Sequence, residues 1–107
     1  MLYEAALKAL KLAKIAIEKK DIPAKCKQIT KAHDIVLELN SSLDHTKGPD
    51  IAEQLQSLYC YCSSQLLKAN MSNDVASIDS VIQVLTTLYE GWVAAVDQVQ
   101  KQKGGAR

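Results

Sequence analysis

The sequence lacks the features that mark several broad classes of protein. Its 107 residues carry a net charge of only +1, which gives no basic excess of the kind that nucleic-acid-binding domains usually show. No apolar run approaches the roughly 18–20 residues that a membrane-spanning helix needs. The chain has three cysteines, and an odd number fits a reducing compartment better than a disulfide framework. The opening residues also lack the pattern of a secretory signal, so we expect a cytoplasmic protein with no membrane insertion.

What the sequence does contain is apolar residues at helical spacing, without the strict alternation typical of a β-strand. Four helical segments are predicted, at about residues 1–20, 23–43, 49–70 and 74–101. The apolar stripes predicted to face the core consist of Leu2, Ala6, Ala9, Leu10, Ala13 and Ile17; of Ile29, Ala32, Val36, Leu39 and Leu43; of Ile51, Leu55, Leu58, Cys62, Leu66 and Ala69; and of Ile78, Ile82, Leu85, Tyr89, Trp92, Val96 and Val99.

Short polar connections separate these segments. Asp21 is a plausible N-cap, followed by Pro23 in a first helical turn, and the pair Gly48 and Pro49 interrupts the chain before the third segment. Four segments of similar length with short connections favour an all-α fold, an antiparallel four-helix bundle. We expect one domain over residues 1–101 and a flexible C-terminal tail over residues 102–107.

The cysteines and histidines give little support for a metal site. Cys60 and Cys62 are two residues apart and point about 200° away from each other on a helix, so both cannot reach one ion. Cys26 and His33 are seven residues apart and share a helix face, but a zinc site needs three or four ligands. His45 is read as a surface residue of a polar turn, and Cys62 as a small core residue. The sequence also has no phosphate-binding loop and no nucleophile elbow. We therefore expect no metal, no cofactor and no enzymatic activity.

Apolar or small residues outside the predicted core stripes remain on all four helices. On the last helix they form a lane of Ser80, Val84, Thr87, Gly91 and Ala95. A glycine costs about 1 kcal/mol relative to alanine inside a helix, so a close approach of another element at Gly91 would compensate. Isolated leucines on a protein surface are common, so each of these residues taken alone could also be an ordinary exposed side chain with no binding role. Together, such residues on all four helices suggest grooves that accept an amphipathic partner segment. The candidate partner-binding residues are Tyr3, Leu7, Leu12, Ile15, Leu37, Tyr61, Leu67, Val84 and Gly91.

Several of these stretches, in the same order, resemble the flagellar export chaperones of the FliS family. The opening MLYEAALKALKLAK is similar to the first helix of that family, with Ala5 where glycine is usual. LDHTKGPDIAEQL resembles its second connection, with Pro49 in place of a glycine, and LYCYC, LLKAN and VLTTLYEGW resemble later helices. The resemblance covers residues 1 to about 96. The matching residues are Tyr3, Glu4, Leu7, Leu58, Tyr59, Tyr61, Leu66, Ala69, Asn70 and Trp92.

The resemblance implies an antiparallel helical bundle that acts as a cytoplasmic chaperone. It would bind the C-terminal amphipathic segment of flagellin, prevent premature polymerisation and assist delivery to the flagellar type III export apparatus. It also implies contacts with an export-gate component and with co-chaperones. Family members normally carry a further segment before the Leu-Tyr motif that covers the flagellin site and contacts the gate. We expect that segment to be missing here, so the question whether the protein docks at the export gate stays open. Its absence would also expose apolar surface for self-association. The alternative is a self-assembling structural or regulatory bundle that binds another partner.

Overall fold

The computed structural model contains four helices that follow the predicted segments to within a few residues at each end. They are α1 (Leu2–Glu18), α2 (Ile22–Ser41), α3 (Pro49–Ser72) and α4 (Val75–Gly105). The structure describes residues 2–43, 46 and 49–105, with side chains described for residues 2–43, 46 and 50–91. Within this part of the chain the fold is all-α, as predicted.

Contacts between side chains show that neighbouring helices run antiparallel. Near the start of α1, the Tyr3 ring stacks on the Tyr89 ring, which lies far along α4. Near the other end of α1, Lys14 Nζ lies 2.6 Å from Asp79 Oδ1, close to the start of α4. Each helix packs against the next one in the chain, and α4 returns to pack against α1. The four helices therefore form the antiparallel bundle that the sequence predicts.

The first helix ends in a Schellman-type turn, and the second begins directly after it. Lys20 adopts a left-handed backbone conformation with φ of 57°. The Asp21 N–H donates to the Ala16 carbonyl oxygen (2.8 Å) and the Lys20 N–H to that of Ile17 (3.1 Å). Asp21 then serves as the N-cap of α2, because its side chain accepts a hydrogen bond from the Ala24 N–H at 3.2 Å. This confirms the predicted cap.

The turn between α3 and α4 is held by a buried lysine. Lys25 is only 4% exposed, although lysine is rarely buried. Its Nζ donates to the Asn70 carbonyl oxygen (2.9 Å) and to Asn73 Oδ1 (2.5 Å). Because Asn70 lies near the C-terminus of α3, the ammonium group also faces the negative end of that helix dipole. The start of α2 is thus attached to the α3–α4 connection.

An acidic side chain marks the start of α4. Asp74 accepts hydrogen bonds from the Ser77 hydroxyl and from the Ala76 N–H, each at 3.0 Å. The hydrogen bond from Ser77, together with those from backbone N–H groups and the nearby Lys68, lowers the pKa of the Asp74 carboxyl. Asp74 therefore stays ionised where it satisfies free N–H groups of the first helical turn.

The core confirms most of the predicted stripes. Fourteen of the residues predicted to face it from the first three segments are buried or pack against it, and Ile78, Ile82 and Leu85 do so on α4. The residues buried at 0% exposure are Ala6, Leu10, Ala13, Ala32, Cys62, Leu66, Ala69, Ile78, Val81 and Leu85. The predicted core roles of Trp92, Val96 and Val99 lie outside the residues whose side chains the structure describes.

The predicted core position is wrong for three residues. Leu2 is 37% exposed because it stands in the first turn of α1. On α3, Ile51 is 66% exposed and Leu58 36% exposed, whereas Ala52 and Tyr59 are buried in their place. Leu55 packs against the core as predicted, so the core face of this half of α3 runs through Ala52, Leu55 and Tyr59 and leaves Ile51 and Leu58 beside it. Among the described residues, no helix combines the length and the apolar character that a membrane span needs.

Candidate partner-binding site

Two adjoining apolar cavities lie along α3 and α4. The first, of about 240 Å³, is lined by Leu58 of α3 and by Gln83 and Val84 of α4, together with Thr87 and Leu88. The second, of about 310 Å³, shares Thr87 and Leu88 with the first and therefore continues it. We call this continuous depression the α3/α4 groove. Among the described residues it is lined by Tyr3, Leu55, Leu58, Gln83, Val84, Thr87, Leu88 and Gly91.

On the α4 side, the groove follows the lane of small residues that the sequence suggested. Val84, Leu88 and Gly91 are spaced by four and three residues, so they lie on one side of the helix. A Cβ atom added at Gly91 would have nothing within 4 Å among the described residues. The close approach expected at Gly91 is therefore not found among the described residues, where this glycine opens space in the groove.

On the α3 side, the groove explains why Leu58 is not in the core. Leu58 is turned out of the bundle and lines the first cavity. Tyr61 is 44% exposed and, three residues further along the helix, points within about 60° of Leu58. Tyr61 therefore lies on the same side of α3 as the groove, although it lines neither cavity.

Tyr3 lines the groove where α1 begins, and it contacts two further tyrosines, Tyr59 and Tyr89. The Tyr3 and Tyr59 hydroxyl oxygens are 2.5 Å apart and share a hydrogen bond. The Tyr3 ring stacks on the Tyr89 ring, with centroids 6.2 Å apart and an interplanar angle of 26°. The Tyr89 hydroxyl donates to Glu4 Oε1 at 2.5 Å. The first turn of α1 is thus attached to both α3 and α4.

These contacts also determine how the phenols titrate. Burial, together with the hydrogen bond to Tyr3, raises the pKa of Tyr59 well above its ordinary value. The hydrogen bond to Glu4 raises the pKa of Tyr89, because ionised Tyr89 would lose that bond and repel the carboxylate. Tyr59 and Tyr89 therefore stay neutral and hydrogen-bonded across the physiological pH range.

Two of the predicted partner-binding residues lie instead in a depression on the outer face of α1. It has a volume of about 360 Å³ and is lined by Glu4, Leu7, Lys8, Lys11 and Leu12. Leu12 is 40% exposed, and Ile15, three residues further, is 45% exposed. This surface is apolar, is bordered by Glu4, Lys8 and Lys11, and shares no lining residue with the cavities of the α3/α4 groove.

Leu37 and Leu67 lie on opposite sides of a contact between the antiparallel helices α2 and α3. Their side chains are 46% and 55% exposed, respectively. Leu67 is one turn from Ser63, which accepts or donates a 2.7 Å hydrogen bond with His33 Nε2 of α2. Leu37 is one turn beyond His33. The structure therefore does not bring the nine predicted residues together: Tyr3, Val84 and Gly91 line the α3/α4 groove, and Leu7 and Leu12 line the depression on α1. Leu37 and Leu67 lie apart from both.

Sequence reasoning missed three leucines of the groove. Leu55 and Leu58 were assigned to the core stripe, and Leu88 was not assigned at all. The signal for Leu88 was available, because it stands four residues after Val84 and three before Gly91, on the lane already identified.

The cysteines and histidines are not brought together. Cys26 Sγ donates to Asn70 Oδ1 at 3.4 Å, while His33 bonds Ser63 instead. In the part of the chain that the structure describes, no group of three His, Cys, Asp or Glu side chains could hold a metal ion. Cys62 is buried and Cys60 exposed, as predicted. His45 lies outside the described residues.

Comparison with known proteins gives consistent matches over most of the chain. The family model described as flagellar protein FliS matches residues 1–99. A flagellar secretion chaperone FliS from Salmonella typhimurium is 38% identical over 93 residues, which cover 86% of this chain and 69% of that protein. One from Vibrio cholerae is 35% identical over 92 residues, covering 86% of this chain and 68% of the relative. One from Bacillus subtilis is 30% identical over 106 residues, covering 99% and 78%.

Proposed function

This chain belongs to the FliS family of flagellar proteins, and we propose that it is a flagellar export chaperone whose α3/α4 groove binds the C-terminal amphipathic segment of flagellin. The observation that carries the proposal is the pair of adjoining apolar cavities that share Thr87 and Leu88. An amphipathic helix placed along this groove would bury its apolar face against Leu55, Leu58 and Leu88, the arrangement typical of helix-in-groove recognition.

Binding of this kind would explain how the chaperone works without catalysis. A chaperone that covers the apolar faces of a free amphipathic segment removes those faces from premature polymerisation. The protection depends only on binding equilibrium, so it ends when the segment is released. We place this capture in the cytoplasm, before delivery of flagellin to the flagellar type III export apparatus. Contacts with an export-gate component and with co-chaperones belong to the same proposal.

The other exposed apolar residues would extend the contact. A disordered partner that folds on binding can wrap a large area at modest affinity, because part of the binding free energy offsets the entropy of ordering. Leu12 and Ile15 on α1, and Leu37 and Leu67 beside the α2–α3 contact, would then bind further turns of the same segment. A large contact area combined with modest affinity suits a client that must be released.

A charge placed in the groove tests this assignment. Thr87 is exposed and lines both cavities, and its hydroxyl already donates within α4 to the Gln83 carbonyl oxygen at 2.9 Å. We expect Thr87→Asp to leave the helix content unchanged and to weaken binding of the flagellin C-terminal segment about tenfold or more, because the carboxylate would be buried against apolar side chains. Isothermal titration with a synthetic peptide measures the effect.

The chain offers a matched control at the next residue. Thr86 carries the same side chain but points about 100° away from Thr87 and lines neither cavity. Thr86→Asp is therefore expected to change the affinity less than twofold. If the wild-type protein gives no heat and the peptide stays unstructured at high micromolar concentration, flagellin binding is excluded. If both variants bind like the wild type, flagellin binds elsewhere.

A further inference from the structure

The cavity at the α1 end of the groove has the properties of a pocket for one large side chain. Leu55 and Leu88 are partly buried and pack against the core, so they form a fixed apolar surface. Gly91 contributes no side chain, and the space beside it is open among the described residues. The Tyr3 ring completes the lining of this cavity of about 310 Å³. Its dimensions and chemistry fit a leucine, methionine or phenylalanine side chain better than a small or polar one.

The position of the Tyr3 ring depends on a residue that does not line the cavity. Tyr3 stands in the first turn of α1, where helix ends are least well ordered. Tyr59 is only 3% exposed and is fixed in the interior of the bundle. The 2.5 Å hydrogen bond between the two hydroxyl groups therefore attaches the first turn of α1 to the interior of the bundle. If Tyr3 moved away, the buried Tyr59 hydroxyl would lose its partner, which is unfavourable.

From these contacts we propose that Tyr59 is a positioning residue for client binding: through Tyr3 it holds the wall of a pocket that accepts one bulky apolar side chain of the client helix. This inference rests on the proposed function and deepens it. Tyr59 acts only through Tyr3. The stacked Tyr89 ring supports Tyr3 from the α4 side, while the Tyr89 hydroxyl bonds Glu4, which does not line this cavity.

Tyrosine-to-phenylalanine variants separate these roles because each keeps its ring. We expect Tyr59→Phe to weaken binding of a synthetic peptide that spans the C-terminal segment of flagellin from the same bacterium by about three- to tenfold. Tyr3→Phe should weaken it by a similar factor. The double variant should be no weaker than either single variant, because both remove the same hydrogen bond. Tyr89→Phe, the matched control, loses only the bond to Glu4 and should change the affinity less than twofold. Circular dichroism at the assay temperature confirms that each variant is folded.

Peptide variants then test the pocket itself. The large apolar residues of the peptide are replaced by alanine one at a time, and the one whose replacement weakens wild-type binding most is taken as the anchor. In Tyr59→Phe the loss of affinity caused by this replacement should shrink, whereas the losses at other positions should not change. A general loss of stability would not alter one position selectively.

The outcomes separate the two proposals. If the wild-type protein binds the peptide and folded Tyr59→Phe binds it equally well with the same anchor preference, the role of Tyr59 is overturned and the chaperone function stands. If the loss of binding free energy in the double variant equals the sum of the losses in the two single variants, the shared hydrogen bond is not the cause and the inference fails. If the wild-type protein does not bind the peptide, both proposals fail.

Discussion

The thiol of Cys62 lies fully inside the bundle, at 0% exposure, between the helices that form the apolar core. Burial disfavours its ionised form and raises the pKa of the Cys62 thiol from 9.0 to about 11. In the unfolded chain the thiol meets water and returns to its ordinary pKa. The folded state therefore binds this proton more tightly than the unfolded state does.

This difference predicts a loss of stability in mild alkali. Between pH 8 and pH 10 the unfolded state releases the Cys62 proton while the folded state retains it, so the free energy of unfolding falls as the pH rises. We expect Cys62 to account for a loss of about 1 kcal/mol over this interval. Urea denaturation of the wild type and of Cys62→Ala at both pH values measures it.

The comparison concerns the change with pH and not the absolute stability, because Cys62→Ala also removes a buried sulfur atom. The variant should start less stable and lose less between pH 8 and pH 10. Tyr59, whose pKa is also raised, adds a further loss in both proteins above its ordinary pKa of 10.0. An identical pH dependence for the two proteins would show that the Cys62 thiol does not titrate differently on folding.

At the scale of single elements, α2 depends on its first turn. Asp21 supplies the only side-chain acceptor described for that turn, at 3.2 Å from the Ala24 N–H. Replacing a capping aspartate by alanine leaves that N–H without a protein partner, and we expect Asp21→Ala to lower the free energy of unfolding by about 0.5–2 kcal/mol. Asp21→Asn keeps the acceptor oxygen and should be close to the wild type. Equal losses in both variants, by thermal or urea unfolding, would mean that the charge and not the cap is responsible.

The helices could be predicted from sequence because their boundaries are marked locally. Asp21 and Pro23 define the start of α2, and the repeated apolar spacing defines the helical segments between the turns. The orientation of a helix about its own axis, in contrast, is not marked locally in the sequence. On α3 the stripe that contains Ile51 and Leu58 and the stripe that contains Ala52 and Tyr59 both have helical spacing.

Hydrophobicity alone favoured the wrong stripe of α3. Ile51 and Leu58 are more apolar than their neighbours, but they lie on the surface, and Tyr59 is buried with its hydroxyl bonded to Tyr3 of α1. That partner is 56 residues away in the chain, so no local pattern reveals it. Because Tyr59 faces the core, the preceding Leu58 points outward and lines the α3/α4 groove. One unpredicted contact therefore accounts both for the error in the core and for a missed residue of the site.

For the molecule as a whole, the sequence indicated which apolar residues are left over but not where they meet. Leu12, Ile15, Leu37, Tyr61 and Leu67 are all exposed, as expected for residues outside the core. Their grouping into separate surfaces depends on how four helices are arranged in a body that measures 56 × 25 × 18 Å. Whether these surfaces bind a client or copies of the same chain is a question that a measurement on the intact protein can decide.

Thermal stability distinguishes these two functions. A ligand that binds only the folded state stabilises it by about 2.7 kcal/mol when its concentration is a hundred times its Kd. For a domain of this size we therefore expect the flagellin peptide to raise Tm by about 10 °C or more. A self-assembling bundle would instead show a Tm that rises with its own concentration and does not respond to the peptide. Scans over a range of both concentrations separate the two, and Thr87→Asp should reduce the rise caused by the peptide while Thr86→Asp keeps it.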